Sequence, residues 1–162
     1  MRINRAPSSS NETGLWDRPE RQNLKIAKDC IVKITGIPLR APKNKRQEIS
    51  LNLNCFRNSH YQVNNKIKKY IEEIVAVKCK GKTAPDPPLK LTYRIFRKSK
   101  RKADLANIGS ILDKFVSDGL VLCGAIPDDN TNIIKCVVFE DGGVDKANPR
   151  ADLLIEKYQP AG

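Results

Sequence analysis

Apolar residues at helical spacing dominate one stretch of the chain, residues 104–129. On a helix that turns by about 100° per residue, one face is apolar and an adjoining stripe is mostly polar. The apolar face comprises Leu105, Ile108, Leu112, Phe115 and Val116. The polar stripe comprises Asp104, Asn107, Ile111, Lys114 and Asp118. Because the apolar face must enter a core, the stripe is expected to point away from it.

The same stretch ends in an acidic turn. Gly124 and Pro127 are predicted to stop the helix, and Asp128 and Asp129 follow them. Carboxylates from the turn and from Asp104 could converge on a cation, since Mg²⁺ takes oxygen ligands and keeps several waters. The alternative is that Asp104 only caps the helix and that the acidic pair only makes a turn.

The remaining patterns predict an α+β fold. Strands are expected over residues 30–37, 89–96, 132–140 and 151–158, and a second helix from about Val63 to Val77. Residues 38–48 contain prolines and many charges, which favours an irregular loop, either solvated or acting as a mobile arm over DNA. Residues 141–143 indicate a hairpin turn, so the last strand should lie beside its predecessor. The order β-α-β-α-β-β predicts a small mixed sheet covered by two helices.

Length and composition indicate one domain. The 162 residues suffice for one core. Residues 1–24 carry few large apolar groups and predict a loose tail, while residues 25–162 form the domain. No apolar run is long enough to cross a membrane and no leader pattern is present, so a cytoplasmic protein is expected. Five spread cysteines without a CxxC pair favour buried reduced thiols over disulfides or zinc.

The formal net charge of +12 favours a polyanionic partner, most simply nucleic acid. The densest cationic run, residues 97–102, immediately precedes Asp104. Residues 50–61 add amides, aromatics, one arginine and the single histidine of the chain. These residue types suit contacts to phosphate and sugar, although a lone histidine is more often structural. The candidate DNA-binding residues are Arg57, His60, Arg97, Lys98, Lys100, Arg101, Lys102, Lys146 and Arg150.

The central stretch also carries a resemblance. The run Asp104-Leu105-Ala106-Asn107, then Lys114, Asp118-Gly119-Leu120, Gly124 and Asp128-Asp129, followed by a strand, resembles the RusA family of Holliday-junction endonucleases and its phage-borne relatives. The resemblance extends over roughly residues 30–158. It implies a small α/β homodimer in which a cluster of aspartates binds Mg²⁺ and hydrolyses a DNA strand near the crossover, without a small-molecule cofactor.

Carried over by position, Asp104 resembles the first aspartate of the family motif and Asp129 the aspartate of the later acidic pair. The implied metal ligands are Asp104, Asp128 and Asp129. Lys114 would stabilise charge on the phosphate, and Asn107 would orient a ligand or the phosphate.

Two departures from the family pattern stand beside this resemblance. Ala106 replaces the second aspartate of the usual Asp-x-Asp-Asn motif, and Lys114 lies about one helical turn further from Asp104 than in the family. The alternative function is therefore a junction- or nucleic-acid-binding protein that keeps the scaffold without catalysis.

Overall fold

The computed structural model describes residues 31–162, which form a mixed α+β structure with two sheets and three helices. The strands are β1 (Val32–Pro38), β2 (Arg40–Pro42), β3 (Glu48–Ser50), β4 (Leu89–Arg97), β5 (Ile134–Val144) and β6 (Arg150–Lys157). The helices are α1 (Leu53–Asn58), α2 (Tyr61–Cys79) and α3 (Leu105–Leu122). The predicted tail, residues 1–24, lies outside the described residues.

The main sheet has the strand order β1-β6-β4-β5. β5 runs parallel to β4, whereas β6 is antiparallel to both β4 and β1. The connection from β4 to β5 contains α3, as a crossover between parallel strands requires. The predicted mixed sheet is therefore confirmed at the level of fold class.

The predicted hairpin between the last two strands is wrong. Residues 141–143 lie inside β5, where Ile95 pairs with Asp141 and Phe96 with Gly143. β6 instead lies between β1 and β4, and its residues Ala151, Leu153 and Ile155 are completely buried. A strand with such an apolar face buries more apolar surface, and so gains more free energy, in a central position than at the edge of the sheet.

The predicted irregular loop at residues 38–48 is also wrong, because it contains most of a two-stranded hairpin. Ala41 pairs with Ile49 and is buried, which gives this basic segment an anchor in the core. Asn44 holds the turn by accepting hydrogen bonds from the backbone N–H groups of Arg46 and Gln47 at 2.9 Å each. The hairpin, β2–β3, forms the smaller sheet and precedes the short helix α1, which was not predicted as a helix.

The core lies between one face of the main sheet and the helices α2 and α3. Alternate residues of β4, namely Leu89, Leu91, Tyr93 and Ile95, are fully buried. α2 contributes Ile67, Ile71, Val75 and Cys79, and α3 contributes Leu112, Phe115, Val116 and Leu120. The opposite face of the sheet carries cross-strand ion pairs such as Arg94 with Glu140 at 3.1 Å.

Local chemistry accounts for the ends of α3. Asp104 is its N-cap, and Gly124 has a φ of 73°, a conformation that suits glycine after a helix. Both predicted ends of this helix are confirmed. Gly109 allows α3 to lie close to β5, because a Cβ atom there would be 2.4 Å from Cδ1 of Phe139.

Candidate functional site

Asp104 lies at the exposed N-terminal end of α3, beside the cationic segment 97–103. Its Oδ1 atom accepts hydrogen bonds from the backbone N–H groups of Ala106 at 3.0 Å and Asn107 at 3.3 Å. The capping interpretation of Asp104 is therefore confirmed. Its Oδ2 atom forms no hydrogen bond with another residue of the described chain, so one carboxylate oxygen can still contact a ligand.

Asp128 closes the acidic turn before β5. Its Oδ1 accepts from the backbone N–H of Asp129 at 2.7 Å, and its Oδ2 accepts from the side-chain amide of Asn130. These two donors, the backbone N–H first, hold the pKa of Asp128 below its usual range. Both oxygens of this predicted metal ligand therefore have protein partners, while the neighbouring Asp129 is exposed.

A carboxylate that the sequence analysis overlooked lies on the inner side of α3. Asp113 accepts hydrogen bonds through Oδ1 from the Tyr93 hydroxyl group at 2.9 Å and from the Ser117 hydroxyl group at 3.3 Å. Partial burial raises the pKa of Asp113, and the negative charge of Asp129 raises it further. The turn before β5 thus places Asp129 within electrostatic range of Asp113.

A signal for Asp113 existed in the sequence. At helical spacing Asp113 shares a face with the apolar residues Val116 and Leu120, where a charged residue must find a partner. Tyr93 lies on the buried face of β4 and needs an acceptor for its hydroxyl group. The pairing of these two residues depends on how α3 crosses the sheet.

Asp104 and Asp113 lie at different levels of α3. Nine residues separate them, which corresponds to about 13.5 Å of helix rise. Within residues 31–162, no three His, Cys, Asp or Glu side chains are grouped closely enough to hold a metal ion. The proposed ligand set Asp104, Asp128 and Asp129 thus stays a prediction.

The polar stripe of α3 contacts the neighbouring helices. The side-chain oxygen of Asn107 accepts from the backbone N–H of Leu53 at 3.0 Å, which fixes the start of α1 to the start of α3. Asp118 forms an ion pair of 2.8 Å with Lys68 of α2. Asn107 and Asp118 are therefore occupied with helix packing.

Lys114 also lies against α1. Its Nζ is 5.6 Å from the centre of the Phe56 ring, a cation–π distance, and the side chain is exposed. Phe56 in turn contacts Phe115 edge-on, with 5.7 Å between ring centres. The predicted contact of Lys114 with a phosphate stays a prediction.

Two of the predicted DNA-binding cations are engaged in ion pairs within the chain. Arg97 contacts Asp141 through two hydrogen bonds of 2.9 and 3.3 Å and also donates to the carbonyl oxygen of Arg101. Arg150 pairs with Asp145 at 2.7 Å and Asp152 at 3.4 Å. These arginines hold the ends of β4, β5 and β6 together, so much of their charge is already compensated.

Other predicted cations remain exposed. Lys98, Lys100, Arg101 and Lys102 follow β4 and take part in no ion pair with another residue between 31 and 162. Lys146 is exposed in the connection between β5 and β6, and Arg57 is exposed in the last turn of α1. His60 is the N-cap of α2 and its Nδ1 accepts from the backbone N–H of Gln62 at 3.3 Å, which supports its structural interpretation.

A groove opens among these cations. It has a volume of about 290 Å³ and is lined by residues 39–40, 50–52, 97–99 and 101–103 together with Ile108 and Pro149. We call it the cationic groove. Ala103 lines the groove and immediately precedes Asp104, so the groove borders the N-terminal end of α3.

The cysteines provide no second site. Cys55, Cys79, Cys123 and Cys136 are free thiols, and only Cys79 is buried. The prediction of reduced thiols stays a prediction, whereas the predicted burial holds for one of these four residues. Cys30 lies outside the described part of the chain.

No helix among residues 31–162 is both long enough and apolar enough to cross a membrane. A scan against protein-family models matches none of them, and a search of curated proteins finds no significant relative.

Proposed function

We propose that the chain is a Mg²⁺-dependent, structure-selective endodeoxyribonuclease of the RusA type, which resolves Holliday junctions by paired phosphodiester hydrolysis in DNA recombination and repair. The observation that carries this proposal is the arrangement along α3. Its N-terminal end, capped by the exposed Asp104, borders the cationic groove, and Asp113 in its middle senses the charge of Asp129. A nuclease needs both features, cations for the DNA backbone and carboxylates for a metal.

Asp113 and Asp129 are a further candidate pair of Mg²⁺ ligands beside Asp104 and Asp128. Burial raises the pKa of Asp113, the hydrogen bonds from Tyr93 and Ser117 lower it, and the charge of Asp129 raises it with the smallest effect, so the two carboxylates interact electrostatically. Mg²⁺ commonly binds through one or two carboxylates and completes its shell with waters and substrate phosphate. Ala106 removes one carboxylate of the family motif, and Asp113, about two helical turns further along α3, is a candidate to supply another.

The buried hydrogen bonds of Asp113 would keep such a ligand in place. The Tyr93 and Ser117 hydroxyl groups both donate to Oδ1, so Oδ2, which has no hydrogen-bond donor among residues 31–162, is the oxygen that would bind a ligand. Partners of this kind orient metal-binding side chains. A bound Mg²⁺ would supply a Lewis acid for the phosphate and lower the pKa of a bound water. In the hydrolysis, the water oxygen bonds to phosphorus as one ester P–O bond breaks.

The cations would position the DNA backbone. Lys98, Arg101 and Lys102 project at the cationic groove, and Lys146 and Arg57 extend the positive surface. Contacts to phosphates fix the register of a protein on DNA without reading bases. Such contacts suit an enzyme that selects a branched structure. A homodimer would present two such sites for two symmetric cuts.

A cleavage assay tests the proposal. Purified protein is incubated with a labelled synthetic four-way junction or a matched linear duplex, each with Mg²⁺ or with EDTA. We expect paired nicks near the crossover, only on the junction and only with Mg²⁺. Asp129→Asn and Asp113→Asn are expected to lower the cleavage rate by about 100-fold or more, since they remove proposed metal ligands.

Glu73→Gln is the matched control, because Glu73 is an exposed carboxylate on the outer side of α2. Its rate should equal that of the wild-type protein. Unchanged cleavage by both aspartate variants would show that this acidic pair does not hold the catalytic metal. Asp104→Asn then tests the ligand that the resemblance implies.

The second candidate function is non-catalytic binding of junctions or other nucleic acids. The absence of a three-carboxylate cluster within residues 31–162 favours it, since the cationic groove does not depend on a metal. A binding protein would retain or slightly increase its affinity for the junction in Asp129→Asn, because a negative charge is lost. Tight junction binding without nicks in Mg²⁺ or Mn²⁺ would support this candidate over the endonuclease.

A further inference from the structure

The cationic groove is lined by three separate parts of the chain. The β2–β3 hairpin supplies Arg40 and Ser50 on one side, and the segment after β4 supplies Lys98 and Lys102 on the other. Ile108 from the first turns of α3 lies at its base. Because the hairpin is anchored through the buried Ala41, its side of the groove is fixed to the core, whereas Lys98 and Lys102 lie in the irregular segment between β4 and α3.

The charged residues that line the groove are all cations. Five of its thirteen lining residues are Lys or Arg and none is Asp or Glu. Arg97 is paired with Asp141, and Arg40 lies 3.4 Å from Glu48. Lys98, Arg101 and Lys102 have no such partner within the described residues. Three uncompensated cations around one groove favour an anionic ligand with more than one charge.

The floor of the groove is apolar. Leu51 is buried, and Leu39 and Ile108 are partly buried against the core. A surface that contacts only phosphates needs no apolar floor. An apolar floor beneath a cationic rim fits a ligand that carries a flat apolar group next to a phosphate, as a nucleotide does.

The size of the groove favours a single unpaired nucleotide over a double helix. Its volume of about 290 Å³ can hold one nucleotide but not a double helix. In a duplex the bases are stacked and paired inside, so only the backbone would meet this surface. An unpaired nucleotide can turn its base toward the apolar floor while its flanking phosphates stay at the rim.

We propose that the cationic groove binds an unpaired nucleotide in a single-stranded segment of branched DNA, with the base against Leu39, Leu51 and Ile108 and the flanking phosphates on Lys98, Arg101 and Lys102. This inference rests on the proposed function for the identity of the ligand as DNA. To that function it adds a specific contact between the cationic groove and an unpaired nucleotide.

Binding without cleavage tests it. The full-length protein is titrated in EDTA against three fluorescently labelled DNAs of one sequence: a blunt duplex, the duplex with a short oligothymidine tail, and the duplex with an abasic tail of equal length. We expect the thymidine tail to bind about tenfold more tightly than the blunt duplex, near the low end of what stacking on an aromatic side chain contributes per base, because the floor of the groove is aliphatic. The abasic tail should lose most of that gain, since it retains phosphates but has no base.

Ser99→Leu tests the groove itself, because Ser99 lines it and the substitution fills space without changing charge or adding an aromatic ring on which a base could stack. Thr83→Leu, in the exposed loop before β4, is the matched control. Ser99→Leu should lose the preference for the thymidine tail and keep the affinity for the blunt duplex, whereas Thr83→Leu should behave as wild type. Lys98→Gln with Lys102→Gln leaves the floor intact and should weaken binding to all three DNAs.

Equal affinity for tailed and blunt DNA would overturn the inference and leave the endonuclease proposal intact. Equal affinity for thymidine and abasic tails would overturn the contact between base and floor. Because the titration contains no metal, failure of junction cleavage in Mg²⁺ would overturn the endonuclease while the tail preference still stands. No binding to any of the three DNAs would also overturn the inference, whereas the endonuclease proposal is decided by the cleavage of the four-way junction in Mg²⁺.

Discussion

The hydroxyl group of Tyr93 donates a hydrogen bond of 2.9 Å to Oδ1 of Asp113, which joins the middle of β4 to the middle of α3. Tyr93 is fully buried, and Asp113 is only partly exposed. A charged acceptor in this position strengthens the hydrogen bond and needs it in return. The contact therefore both packs α3 against β4 and orients the carboxylate of Asp113.

Tyr93→Phe tests the contribution of this hydrogen bond to stability. The substitution removes one donor from a partly buried carboxylate, and we expect the free energy of unfolding to fall by about 1–3 kcal/mol. Urea unfolding followed by circular dichroism measures the loss. Tyr70→Phe is the control, since Tyr70 is a half-buried tyrosine of α2 and should change stability by less than about 0.5 kcal/mol. Similar losses for both variants would contradict a specific role for the Tyr93 hydroxyl group.

Asp113→Asn tests the pH dependence of folding. The pKa of Asp113 is raised in the folded state above its ordinary value of 3.8, by burial first and by the charge of Asp129. The contribution of Asp113 to stability is therefore greatest below the unfolded pKa, where the carboxyl is protonated in both states. It is lost as pH rises through the folded pKa.

Asparagine at position 113 does not titrate and can still accept the hydrogen bond from Tyr93. The stability of Asp113→Asn relative to wild type should therefore rise between the unfolded and the folded pKa and then stay constant. Urea unfolding from about pH 3 to pH 8 measures the difference. In an Asp129→Asn background the rise should be smaller, because one cause of the raised pKa is gone. A difference that is constant over the whole pH range would contradict the raised pKa of Asp113.

Gly109→Ala tests the packing of α3 on β5. Alanine normally favours a helix, yet its Cβ atom would lie 2.4 Å from Cδ1 of Phe139. We expect a net loss of about 1–3 kcal/mol in unfolding free energy, as for other overpacked sites. Ser110→Ala at the adjacent exposed position should have little effect. The combination of Gly109→Ala with Phe139→Leu should cost less than the sum of the two single changes, and strict additivity would argue against this contact.

Cys79 should be the least reactive thiol among the four described cysteines. It is 2% exposed, and burial, with a smaller effect from Cys123, raises its pKa to about 12. Only about one molecule in ten thousand carries the thiolate at pH 8. Iodoacetamide should therefore label Cys55, Cys123 and Cys136 before Cys79, as read by peptide mass spectrometry. Labelling of all four in urea is the control, and labelling of native Cys79 as fast as Cys55 would contradict the prediction.

The sequence alone determined those features that depend on neighbouring residues. Period-two alternation located β4, and helical spacing located α2 and α3. The cap at Asp104 and the helix end before Gly124 follow from the backbone groups that a helix leaves unpaired and from the freedom of glycine at positive φ. These preferences act over a few residues, so they are visible in any short window of the chain.

Only the tertiary structure decided which distant residues meet. The insertion of β6 between β1 and β4, the burial of Ala41 in the β2–β3 hairpin and the cationic groove all join segments far apart along the chain. The same holds for Tyr93 and Asp113, which are 20 residues apart, and for the approach of Asp129 to Asp113. Such pairs arise because burying the apolar faces of several elements at once selects one arrangement, and no local pattern records which polar groups that arrangement brings together.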